Sequence, residues 1–291
     1  MKRSKKLLFS ILSIVFSLAA CHPQENSQEG IVATVQDTTV ATEEAMAVRV
    51  NGTGITMEEF QNEQLRLQDA QAQLGETWSE EEQIERILTE LVGQVLLAQA
   101  ATEAGYYVDE ATLQAHVDEL IADMGGPEQF MSWLQSNHYD EISFRKTLSR
   151  QLAAAWMRDK IVSEVPTSTE QIHARQILVK ELSTAESILL KLQGGTDFGT
   201  LAEQYDTTTG GDLGWFPRGF LYIQAVEDAA FGLQAGQYSN IIESSYGYHI
   251  IQVIERSDSQ SLSAEALHLL QEQAVQDWLD EKWAASTIEV Y

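Results

Sequence analysis

The side chains best suited to chemistry are thinly spread over this 291-residue chain, which has one cysteine, Cys21, and six histidines. A single thiol excludes a disulfide framework and any multi-cysteine metal site. The histidines lie far apart, and none has the His-x-x-x-His spacing that sets two imidazoles on one helix face, so no metal is expected. Gly194-Gly195-Thr196-Asp197-Phe198-Gly199 is glycine-rich but lacks the dinucleotide fingerprint and a preceding strand; it reads as a helix stop followed by a helix start. The acidic run Glu80 to Glu82 reads as a solvated helix N-terminus rather than a cation site. Nothing signals a nucleophile or a redox group, and no cofactor is expected.

Charge narrows the partners. The chain carries 18 basic and 44 acidic side chains, a net of −26, with a pI near 4.4. That excludes nucleic acid, whose phosphates need clustered Lys and Arg. Four of the cations (Lys2, Arg3, Lys5, Lys6) fall in the first 20 residues beside no acid, leaving 14 basic against 44 acidic and a net of −30 for the rest. The apolar stretch Leu7 to Ala20 follows them and is short for a membrane-spanning helix of about 20 residues, so it reads as a secretory signal. Its end, Leu18-Ala19-Ala20-Cys21, resembles the bacterial lipobox. That resemblance implies a lipoprotein signal peptide over 1–20, cleavage before Cys21, and lipidation of the Cys21 thiol. Residues 21–44, rich in Gln, Glu, Thr and Ser, read as a flexible acidic tether. The expected product is an extracytoplasmic, membrane-anchored lipoprotein of a bacterial envelope.

Capping and periodicity place the remaining elements. Ala47 to Asn51 alternate like a short strand, and Gly52-Thr53-Gly54 turns the chain. Thr56 with Glu59, and Ser79 with Glu82, make capping boxes that open two helices. The second helix keeps three-four apolar spacing through Ile84, Ile87, Leu88, Leu91, Val95 and Leu96. Asp109, Gly126-Pro127 and Asp140 open three more, giving a helical domain over 45–165. Pro166 to Thr169 reads as a linker. Strands then interleave with helices over 169–258, a small α+β domain. In 262–291 a helix carries Leu267, Leu270, Ala274, Trp278 and Leu279 on one face and leads to a strand-like ending. This last segment is expected to return to the helical domain, with Ile288 to Tyr291 beside Val48 to Val50. The α+β domain is then an insertion.

Three ordered segments of the inserted part carry a specific likeness. They are His173 to Lys180 (His-Ala-Arg-Gln-Ile-Leu-Val-Lys), Gly210 to Gly219 (Gly-Gly-Asp-Leu-Gly-Trp-Phe-Pro-Arg-Gly) and Tyr246 to Ile251 (Tyr-Gly-Tyr-His-Ile-Ile), the last preceded by Glu227-Asp228-Ala229-Ala230-Phe231. The stretch resembles the parvulins, the PpiC-type rotamase family of peptidyl-prolyl isomerases. The helical part resembles the chaperone domain of SurA- and PrsA-type foldases. The implied fold is α+β: a helical chaperone domain with an inserted small antiparallel sheet and surrounding helices.

Prolyl isomerisation breaks no covalent bond, and its barrier of about 18–20 kcal/mol is the lost resonance of the planar imide. A dry apolar cup that favours the twisted amide, helped by hydrogen bonds, lowers it. The resemblance implies that Leu213 and Leu221 line the cup, Phe231 packs beneath it, and His249 belongs to a hydrogen-bonded network under the substrate. It places Asp206 near the imide and gives Ser244 the small hydroxyl position on the strand leading to His249. Two departures stand out. Gln176-Ile177-Leu178 replaces the usual His-Ile-Leu, and Gln cannot titrate. Val226 stands where an aromatic often closes the cup. His173 cannot substitute for Gln176, because an offset of three residues points to the other face of a strand.

Two functions remain open on these residues. One is an extracytoplasmic prolyl isomerase and foldase acting on unfolded or partly folded secreted proteins. The alternative is a non-enzymatic holdase whose degenerate parvulin module only binds extended peptides. Phe130, Met131 and Trp133 could serve such clients as surface, or could simply pack between helices.

Overall fold

The computed structural model describes residues 44–291. The signal segment, Cys21 and all but the last residue of the tether lie outside them. Strand β1 (Met46–Val50) turns through Asn51 and Gly52 into β2 (Thr53–Thr56). The turn is therefore one residue earlier and tighter than Gly52-Thr53-Gly54. Asn51 and Gly52 both take positive φ (50° and 85°), the geometry whose twist matches a two-residue hairpin.

Helices α1 (Met57–Leu74), α2 (Glu80–Glu103), α3 (Glu110–Asp123), α4 (Pro127–Ser136) and α5 (Glu141–Glu164) follow. Ser79 and Glu82 form the full reciprocal box expected of them. Thr56 accepts the Glu59 N–H at 3.1 Å, but the Glu59 carboxylate turns instead to Arg150 on α5, 2.5 Å away. A nearly buried carboxylate gains more from a guanidinium than from a backbone N–H, so the cap is one-sided. Phe130 and Leu134 are buried with Val117 and Phe144, and Trp133 packs against them. Phe130 and Trp133 are thus helix-packing residues, while Met131 stays exposed.

The inserted part runs β3 (Ser168–Val179), α6 (Leu182–Gln193), α7 (Phe198–Tyr205), β4 (Asp212–Pro217), α8 (Gln224–Phe231), β5 (Ile242–Ser244) and β6 (Gly247–Ser261). Its sheet has the order β4-β3-β6-β5 and every pairing is antiparallel. The two long strands outrun the expected limits. Ser168 and Thr169, read as linker, pair with Ser261 and Gln260. Buried Gln171 staples this far end by donating its amide to the Gln260 and Ser261 carbonyls. The segment's entry and exit are therefore neighbours.

Alternation gives the sheet two covered faces. Ile177, Val179 and Ile250 pack on α6 and α7 through Ile188, Leu192, Phe198 and Leu201. Ala174, Ile251 and Val253 pack on the opposite face with Phe216 and, from α8, Val226, Ala230 and Phe231. Helix α9 (Ala264–Ala285) then returns to α2 and α5, where Leu279 is buried with Leu97, Ala154 and Ile161. Strand β7 (Ile288–Val290) pairs antiparallel with β1, Val48 opposite Val290 and Val50 opposite Ile288, as the sequence leads one to expect.

Candidate active site

The β3–β6 register sets Leu178 opposite His249, so Gln176, two residues earlier, projects from the same face. His249 is 2% exposed, which obliges its ring nitrogens to find partners. Nδ1 lies 3.0 Å from Gln176 Oε1, and Nε2 lies 2.7 Å from Ser244 Oγ at the end of β5. Oε1 can only accept, so Nδ1 carries a proton, and in the neutral ring Nε2 accepts the Ser244 hydroxyl, which also lies 3.2 Å from the Gly247 carbonyl. Burial pushes the His249 pKa below its ordinary value, which favours the neutral ring. The result is an uncharged, directional chain from Ser244 through His249 to Gln176. With Oε1 engaged, the Gln176 amide has N–H donors left for its other side.

Gln176 is also fixed through its backbone. Its N–H donates to the Gly211 carbonyl at 2.8 Å. A Cβ on Gly211 would stand 2.0 Å from the Gln176 carbonyl oxygen, and its φ is +73°. Only glycine allows this approach, so the Gly210-Gly211 pair is what presses the β4 loop onto the site. The cleft that results, about 340 Å³, is lined by Gln176, Leu178, Lys180, Tyr205, Asp206 and Leu213, among others.

Asp206 thus shares a wall with Gln176 and Leu213, but its carboxylate works within its own loop. Oδ1 accepts from the Thr208 and Thr209 N–H groups at 3.0 and 3.1 Å, and Oδ2 accepts from the Thr209 hydroxyl at 2.5 Å. The Thr209 hydroxyl first, then the backbone donors, hold its pKa down to about 2. It is a fixed negative charge that shapes the turn before Gly210. Leu213 and Leu221 are half-buried against the core on this face of the sheet. Phe231 lies deeper, edge-on to Phe216. Val226, at 3% exposure, belongs to the same core and not to the cleft wall. His173 projects from the other face, where it pairs with Asp212 at 2.8 Å and tilts against Trp215.

One site residue escaped the reading of the sequence. Glu227 on α8 is 1% exposed, and its two carboxylate oxygens accept the Gly219 and Leu221 N–H groups at 2.8 and 2.9 Å. It therefore holds the loop that carries Leu221. The available signal was an acid inside an apolar helix face made by Val226, Ala230 and Phe231. Tyr222, 83% exposed, meets the Tyr246 ring edge-on, and Lys180 on the cleft wall donates to the Tyr246 carbonyl.

Comparisons with known proteins identify two family domains in the chain. The PpiC-type PPIase domain family matches residues 160–257, and the SurA-like N-terminal domain family matches residues 1–148. The chain is 30% identical over 278 residues to a foldase protein PrsA of Caldanaerobacter subterraneus, covering 87% of this chain and 82% of that protein. It is 29% identical over 265 residues to a foldase protein PrsA of a Geobacillus species, covering 87% and 81%. A crystal structure of a peptidylprolyl isomerase (PrsA) from Bacillus cereus aligns with a TM-score of 0.47 at 24% identity, over 83% of this chain and 90% of that one.

Proposed function

The chain belongs to the family that joins a SurA-like N-terminal domain to a PpiC-type peptidyl-prolyl isomerase domain, and from that membership we propose that it is an extracytoplasmic prolyl isomerase and foldase. The observation that carries the enzymatic part is the neutral Ser244–His249–Gln176 chain beside a cleft with an apolar wall at Leu178 and Leu213. A prolyl ring seated against Leu213 and Leu221 leaves water, and the imide loses solvation that favours its planar, polar form. Gln176, oriented by His249, supplies an amide donor to the twisted imide nitrogen or carbonyl. No step requires proton transfer, so a side chain that cannot titrate is compatible with the reaction.

Anchoring is proposed through lipid on Cys21, on the strength of the lipobox-like junction. No helix among the described residues is long and apolar enough to cross a membrane. The clients are proposed to be secreted or envelope proteins with prolyl bonds. A body with so large an acidic excess would favour neutral or cationic chains over acidic ones.

A protease-coupled refolding assay on a proline-limited substrate tests the proposal. Wild type should accelerate refolding, and His249→Ala should lose about tenfold in kcat/KM, the equivalent of one buried hydrogen bond. Absence of acceleration at any protein concentration would leave the holdase as the function. Engagement of the Asp206 carboxylate by its own loop favours that second reading, since it leaves less polar chemistry free to face an imide.

A further inference from the structure

Gly219 is held from two directions. Its N–H donates to Glu227 Oε1 at 2.8 Å, and its carbonyl accepts from Gln273 Nε2 at 2.7 Å. Glu227 stands on α8, beneath the site. Gln273 stands on α9, the helix that packs on α2 and α5 of the helical body. Glycine suits the position: φ is +83°, a strained value for a residue with a Cβ, and a Cβ would come within 2.7 Å of Gln273 Oε1 and force that amide to shift. Two residues on, the other oxygen of Glu227 takes the Leu221 N–H. The short segment from Arg218 to Tyr222 is thus pinned on one side by the inserted domain and on the other by the helical body. It delivers Leu221 to the apolar cluster and Tyr222 to Tyr246.

We propose that Gln273 is a positioning residue for the prolyl site. From the helical body it sets the loop that carries Leu221, so the cup has its working shape only while α9 is seated on α2 and α5. The helical body is then part of the machinery that shapes the catalytic cleft. This rests on the isomerase reading given above.

The test uses the full chain carrying Gln273→Leu, which removes the donor; Gln273→Glu, which sets an acceptor against the Gly219 carbonyl; and Gln273→Lys, which keeps an N–H donor. Isomerase kinetics, affinity for a short prolyl peptide, and amide exchange at Gly219 and Leu221 are measured together. Gln273→Leu and Gln273→Glu should each lower kcat/KM by roughly threefold to tenfold, mostly through KM, because the cup wall shifts while the polar chain stays. Exchange should quicken at Gly219 and Leu221 and stay unchanged in β3 and β6. Gln273→Lys should recover most of the loss. Unaltered kinetics and exchange in the Leu variant would overturn the proposal. Quickened exchange throughout the chain, without rescue by Lys, would do so too, since it marks a general loss of stability. If wild type has no isomerase activity, the functional reading fails by itself. Peptide affinity and the two amides then decide the role of Gln273: weaker binding with local exchange upholds it, and no change in either overturns it.

Discussion

Gln176 faces the Nδ1 edge of His249 at 3.0 Å, and this contact chooses the tautomer of a buried ring. Because Oε1 is acceptor only, the proton is fixed on Nδ1 and the Ser244 hydroxyl is drawn to Nε2. In the neutral ring the pair aligns two dipoles without creating a charge, which suits the proposed reaction, whose transition state is less polar than its ground state.

Gln176→Leu should therefore do more than delete a contact. It leaves the Nδ1–H of a 2%-exposed ring without a partner, a cost of about 1–3 kcal/mol. Urea denaturation should show that loss. Gln176→Glu should act oppositely on the ring, since a carboxylate beside Nδ1 raises the His249 pKa, readable by NMR titration.

Acid should weaken the wild-type protein through His249. Its folded pKa lies below the ordinary 6.5, so below that pH the unfolded chain takes up a proton that the folded chain resists. The contribution is absent above about pH 6.5, grows as pH falls, and levels off below the folded pKa. The difference in urea midpoint between wild type and His249→Gln, followed from pH 7.5 to 5, should move against wild type as pH drops. A difference that stays constant with pH would refute it.

Asp206 predicts the reverse pattern lower down. Its pKa falls from 3.8 unfolded to about 2 folded, so its stabilising effect is complete above about pH 4 and is lost as pH falls toward 2. Asp206→Asn should lack that acid limb. At neutral pH it should also loosen the Thr207–Gly211 turn and, through the Gly211–Gln176 hydrogen bond, reduce activity more than global stability.

Gly93 offers a stabilising change. It is buried mid-way along α2, and a Cβ there meets only Leu279 Cδ2, at an ordinary 3.8 Å. Gly93→Ala should gain about 0.5–1 kcal/mol from helix propensity and raise Tm. Gly93→Leu should lower it by wedging α9 away from α2.

Local signals carried most of the architecture. Ser79 with Glu82, Asp109 and Asp140 open helices at the expected residues because capping involves atoms only three positions apart. The pairing of Ile288 with Val50 was legible because an apolar tail stripe needs cover. The far ends of β3 and β6 were not, since their pairing is made by backbone and their side chains are polar enough to read as linker. Resemblance brought His249, Gln176 and Ser244 to attention. Which nitrogen each partner takes depends on register and could not be read from spacing. Position-by-position transfer brings Asp206 to the cleft wall but does not tell that its carboxylate is held by its own turn, nor that Val226 is buried in the core. Glu227 was hidden because a buried acid and a surface acid look alike until the donors that answer it are located.

The three-stranded sheet β2-β1-β7 sets a timetable. Asn51 bonds Ser286, 235 positions later, and β1 is completed only by β7. A chain made from its N-terminus has produced the whole inserted domain before the helical body can close, and contacts so distant in sequence form slowly. All strands of the inserted domain, which join at Ser168 and Ser261, are synthesised before β7. For a time each newly made molecule thus carries its inserted domain on an unfinished body, and the strand awaiting β7 is an open edge.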